Sequence, residues 1–161
     1  MPISPRALFE RLASLVPGYT GYADREGRRE TDQALRRAVA QRLSDRKLVL
    51  DRLIAEAARS MRFDALEPLE SVKRRLDRLA DVVRLAPAGY AALFADSQVR
   101  AQELDLLMEH DVRLRDAAEE LGAAVDALAL GDAAGLAQTE RLLAGVEDAV
   151  RRRDELLKGV A

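Results

Sequence analysis

Asp111 is the side chain with the most chemical leverage in this sequence. It sits in the series Leu104, Leu107, Asp111, Leu114, Ala118, Leu121, Val125, Leu128, where every other position is apolar and the spacing is that of a helix seam. A carboxylate there could accept a proton or anchor a ligand. It could equally form a buried, register-fixing salt bridge, or sit near a helix end and be wet. Buried without a counter-charge it would cost several kcal/mol of desolvation, so a partner is expected, an Arg from the basic first half of the chain. Either of these structural readings, the bridge or the wet seam position, is preferred to the chemical ones.

His110, the one histidine, adjoins it. A di-iron bundle needs two Glu-x-x-His pairs on facing helices, which one histidine cannot supply. Glu109, His110 and Asp111 are consecutive, so they do not share a helix face. His110 therefore reads as an exposed surface residue. The chain has no Cys, which removes thiol catalysis, disulfides and sulfur-ligated metals. It carries no nucleophile elbow, Walker loop, dinucleotide fingerprint or H-E-x-x-H. No catalytic, metal-binding or cofactor-binding residues are assigned, and an enzyme is not expected.

The stretch SLVPGYTGYADREGRRETD (residues 14–32) places two of the three tyrosines three residues apart, beside glycines and ahead of dense charge. Tyr19, Tyr22, Tyr90 and Phe94 would gather at one end of a helical bundle, with Phe63 at the other. Such aromatics either plug the bundle end, each phenol reaching water or a backbone carbonyl, or form a pocket or docking patch. The rim of the patch would be Arg25, Arg28, Arg29 and Glu30.

Those residues need elements to hold them. At 161 residues, rich in Ala and Leu and poor in β-branched side chains, the chain suits one all-α domain. Ser4 and Pro5 open a short helix over 4–16, with Leu8, Leu12, Leu15 and Val16 on one face and Ile3 placed to staple onto Leu8. A long helix is predicted over 24–60, capped by Asp24, followed by a bend over 62–67 closed by Pro68. A second long helix covers 68–86 (seam Leu69, Val72, Leu76, Leu79, Val83, Ala86), a third 100–129, and a fourth 133–158 with seam Leu136, Thr139, Leu143, Val146, Val150 and Leu157. Short turns between them predict an antiparallel, up-and-down four-helix bundle with the N-terminal helix docked on it.

Charge constrains partners. Residues 1–86 hold 18 basic and 13 acidic side chains, residues 87–161 hold 8 and 15, so oppositely charged halves are expected to pack together. The overall pI of 5.6 argues against a nucleic-acid partner. The clusters KRR (73–75) and RRR (151–153) are interleaved with acids and read as solvated faces. No apolar run approaches the roughly 18 residues of a membrane span, and no secretory leader opens the sequence, so a soluble cytoplasmic protein is expected.

The motif Val16-Pro17-Gly18-Tyr19-x-Gly21-Tyr22, followed by Arg28-Arg29-Glu30-x-Asp32, resembles the opening of an uncharacterised bacterial helical-bundle family. The similarity continues through 89–111, where Glu103, Leu104, Glu109 and Asp111 match its acidic string and His110 replaces a usual aromatic. Relatives of that family occur near stomatin-like membrane-scaffold proteins. The resemblance implies an adaptor recruited to an envelope-associated assembly; the zinc-ribbon part of some relatives does not carry over. The expected function is a non-enzymatic interaction module that binds a protein partner or itself. The alternatives are a small-ligand sensor anchored by Asp111, or a self-assembling structural protein.

Overall fold

The computed structural model of the chain describes residues 3–85 and 101–159, and every regular element among them is helical. The elements are α1 (Pro5–Leu15), α2 (Arg28–Ser44), α3 (Lys47–Arg59), α4 (Phe63–Leu85), α5 (Ala101–Asp126) and α6 (Ala133–Leu157). All of them pack on one another through a single apolar core.

The seams form that core. Leu69, Val72, Leu76, Leu79 and Val83 of α4 are buried, as are Leu107, Leu114, Ala118, Leu121 and Val125 of α5 and Leu143, Val146 and Val150 of α6. Ser4 caps α1 by accepting from the Ala7 N–H at 3.3 Å, with Pro5 at the first helical position. Leu8, Leu12 and Val16 are buried beneath it, whereas Leu15, expected on the same face, is 42% exposed.

Oppositely charged side chains join the two halves of the chain. Arg11 meets Asp116 at 2.7 Å, Arg36 meets Asp154 at 3.1 Å, Arg46 meets Asp126 at 2.8 Å and Arg75 meets Glu147 at 2.9 Å, and Arg42 pairs with Glu119. In each, the cation comes from the basic half and the anion from the acidic half. The same contacts give directions. Ser44, Lys47 and Asp51 meet Arg84, Asp77 and Lys73 in turn, so α4 runs back along α2 and α3. Arg42 and Arg46 meet Glu119 and Asp126, so α5 runs in the direction of α2.

In the first half of the chain the helix boundaries differ from the sequence expectation, and α5 ends at Asp126, three residues short of the expected 129. The helix expected over 24–60 begins at Arg28 and is divided at Asp45–Arg46. Asp24 caps only a preceding turn: its carbonyl takes the Gly27 N–H at 3.2 Å and its side chain the Glu26 N–H. At Asp45–Arg46 the backbone stays right-handed, but the Arg46 N–H bonds back three residues to Leu43 at 3.2 Å, tightening the turn. Glycine and proline are both missing at this point, so the break has no local sequence signal.

The bend between α3 and α4 lies at 60–62, not 62–67, and α4 continues through Pro68. Met61 adopts φ 55°; the Arg62 N–H reaches the Ala57 carbonyl at 2.8 Å and the Met61 N–H reaches Ala58 at 3.3 Å. That is a Schellman closure with methionine where glycine is usual. The Met61 side chain is 73% exposed and has little packing to lose. Met61→Gly is expected to raise stability by about 1 kcal/mol, since a left-handed L-residue costs about 1–2 kcal/mol. A lower urea midpoint in that variant would refute the assignment of strain.

Candidate functional site

The fold gathers its charged seam residues into one buried layer. Position 153 continues the α6 seam of 139, 143, 146 and 150, and position 32 lies one turn before the α2 seam residues Leu35, Val39 and Leu43. The three seams therefore bring Asp32, Asp111 and Arg153 together, at 2%, 0% and 1% exposure. The Tyr loop between α1 and α2 joins the layer through Tyr19 and Tyr22.

Every strong group in it has a counterpart. Tyr19 Oη and Tyr22 Oη both donate to Asp111 Oδ2, at 2.7 and 2.5 Å. Arg153 Nε donates to Asp111 Oδ1 at 2.6 Å, its Nη2 donates to Tyr22 Oη at 3.1 Å, and its Nη1 lies 2.7 Å from Asp32 Oδ1. Arg36 Nε donates to both oxygens of Asp32, at 3.2 and 3.1 Å, and its Nη2 reaches Asp154. The two phenol rings meet edge to face, with centroids 5.8 Å apart.

The electrostatics follow. Burial pushes both phenols well above their ordinary range, and the neighbouring Asp111 carboxylate pushes the same way. Burial works against the Arg153 cation, but Asp111, Tyr22 and Asp32 outweigh it and hold the guanidinium protonated. His110 is partly buried, not exposed as expected; burial first and Arg113 next push its pKa down.

The loop itself is fastened from α2. Thr31 Oγ1 donates to the Gly21 carbonyl at 2.9 Å, and Arg28 Nε donates to the Tyr22 carbonyl at 2.8 Å. Gly21 has φ 83°, and a Cβ there would lie 3.2 Å from the Phe9 ring, so glycine lets α1 close on the loop.

Of the residues singled out in the sequence, Tyr19, Tyr22 and Asp111 come together as one buried unit. Their phenols find a carboxylate, where water or a backbone carbonyl was expected. The counter-charge of Asp111 comes from α6, not from the basic first half. Arg28 is 8% exposed and so lies beneath the expected rim, which leaves Arg25, Arg29 and Glu30 on the surface. Tyr90 and Phe94 lie outside the described residues. Sequence reasoning missed Arg153, read as part of a solvated RRR cluster, together with Asp32 and Arg36 as buried members. Arg151 and Arg152 do lie on the exposed face, paired with Asp148 and Glu155.

Outside this layer, α1, the Tyr loop and the start of α5 enclose an open groove of about 620 Å³, with Phe9, Ala23, Leu104 and Met108 on its apolar walls. Among the described residues, no group of three His, Asp or Glu side chains is placed to hold a metal ion, and no helix is long and apolar enough to cross a membrane. No protein-family model matches the chain, and the searches of curated proteins and of solved structures returned no significant match.

Proposed function

We propose that the protein is a non-enzymatic interaction module, cytoplasmic, that docks a partner protein on the face formed by α1, the Tyr loop and the start of α5. Through that partner it joins a membrane-associated assembly, as the resemblance of residues 15–36 to the stomatin-associated family suggests. Its scaffold is an up-and-down four-helix bundle in which α2 and α3 share one leg; the directions of the cross-helix ion pairs support this arrangement.

The observation that carries the reading is the groove of about 620 Å³ beside a loop fastened from α2 by Arg28 and Thr31. A pre-ordered surface binds with less conformational cost than one that must be ordered on docking. The buried layer favours a scaffolding role over chemistry, because Tyr19, Tyr22 and Arg153 all bond to Asp111 and Arg153 also pairs with Asp32.

Truncating Tyr22 would test folding more than binding, since its hydroxyl belongs to that layer. Ala23 is exposed and lines the groove, so Ala23→Trp adds bulk to the groove and removes no side chain of the core. In affinity capture from soluble and membrane fractions, wild type should hold a stoichiometric protein that Ala23→Trp loses while its helical circular dichroism is unchanged. Capture of the same proteins by both forms, or of the chain alone, would overturn the reading.

A further inference from the structure

Arg28 has more donors than the fold uses. Its Nε donates to the Tyr22 carbonyl, yet among the described residues its Nη1 and Nη2 have no hydrogen-bond or ion-pair counterpart, although only 8% of the residue is exposed. Neither atom is sealed from solvent, and the residue lines the groove. The other buried arginines, Arg36 and Arg153, each meet two acidic residues. Arg28 is thus a guanidinium held by its Nε bond on the lining of the groove, with both Nη groups open to solvent.

We infer that this Nη edge receives a carboxylate, and that the occupant of the groove is a peptide segment of the partner protein in which a Glu or Asp is flanked by apolar side chains. The inference rests on the interaction-module reading and names the chemistry of its partner. The outer edge of a guanidinium offers two parallel N–H donors that match the two oxygens of a carboxylate, and Lys lacks that fork. A largely desolvated cation favours an anion over a neutral group. Phe9, Leu104 and Met108 supply the apolar contact, and the open form of the groove suits an extended segment. Arg6 adds a second cation on the lining, although Glu10 pairs with it at 2.8 Å. Asp105 is also on the lining and would accept a backbone N–H of the same segment.

The test titrates the full chain with N-acetyl-Phe-Glu-Leu-amide, with its Phe-Gln-Leu counterpart, and with 4-phenylbutyrate, following the Arg28 Nε–H and Met108 methyl resonances. The Glu peptide should shift both signals and bind at least about tenfold more tightly than the Gln peptide, the preference a charge-assisted pair gives. Arg28→Gln should abolish the preference. If that variant fails to fold, Ala23→Trp, which leaves Arg28 in place, should still block the Glu peptide. Equal binding of the Glu and Gln peptides, or shifts remote from Arg28, would overturn the inference. Binding of 4-phenylbutyrate as tight as that of the Glu peptide would reassign the groove to a free carboxylic acid and overturn the peptide occupant. Loss of the captured protein in Ala23→Trp alongside equal peptide binding would leave the interaction module standing and remove only its carboxylate preference.

Discussion

Arg153→Met is expected to cost about 3–5 kcal/mol of folding stability, the range for removing one member of a buried charge pair. The guanidinium touches Asp111 at 2.6 Å, Asp32 at 2.7 Å and Tyr22 Oη at 3.1 Å, and is 1% exposed. Its loss strands one carboxylate more than the other. Asp32 keeps Arg36, but Asp111 keeps only the two phenols, with no cation in contact. Adding Asp111→Asn should therefore return part of the lost stability, because the neutral amide oxygen still accepts from Tyr19 and Tyr22 while the uncompensated charge disappears. Asp111→Asn alone should be destabilising, since it leaves Arg153 with less counter-charge. The sign reversal is the diagnostic result, and urea denaturation of the four proteins reads it directly. If Asp111→Asn harms the Arg153→Met protein as much as it harms wild type, the two side chains are not coupled and the account of the layer fails.

Raising the pH above 10 is expected to unfold the protein cooperatively. The folded chain retains the protons of Tyr19 and Tyr22 far above the ordinary phenol value, because burial disfavours phenolate and Asp111 repels it. The unfolded chain releases those protons near pH 10. The stability they contribute is thus complete below pH 10 and lost above it, by about 1.4 kcal/mol per pH unit for each phenol. Two phenols together remove about 5 kcal/mol by pH 12, which is the whole stability of many domains. Tyrosinate absorbance at 295 nm and helical circular dichroism should change together for these two residues. Tyr22→Phe should lower stability at neutral pH by about 1–3 kcal/mol and halve the alkaline slope. Ionisation of all three tyrosines near pH 10 with the helices intact would refute the placement of both phenols.

Much of the fold could be read from spacing. The 3-4 periodicity of α4, α5 and α6 marked the faces that are buried, and the charge imbalance between the halves is in line with Arg11–Asp116, Arg36–Asp154, Arg42–Glu119, Arg46–Asp126 and Arg75–Glu147, though not with the buried Arg153–Asp32 pair. The same periodicity contained Arg153, at the step between Val150 and Leu157. Its neighbours on either side are charged and a charged side chain is rarely buried, so the pattern alone does not mark it as core. The division at Asp45–Arg46 and the left-handed Met61 gave no comparable signal. Both interrupt the helical run, and neither carries the glycine or proline that would announce an interruption.

The sequence by itself determined that this chain is helical, which faces are apolar, and that Asp111 stands on a buried seam and needs a partner. Periodicity and composition act locally, so they can be read locally. Only the tertiary structure decided that the partner is Arg153, that the two tyrosines turn their hydroxyls inward to the same carboxylate, and that Arg28 lines a groove with both Nη groups unpaired among the described residues. Those outcomes depend on which residues, separated by up to 131 positions, share one layer of the core. The pairing is set by the desolvation of charges as the helices close, a cost that no single segment carries until its neighbours arrive.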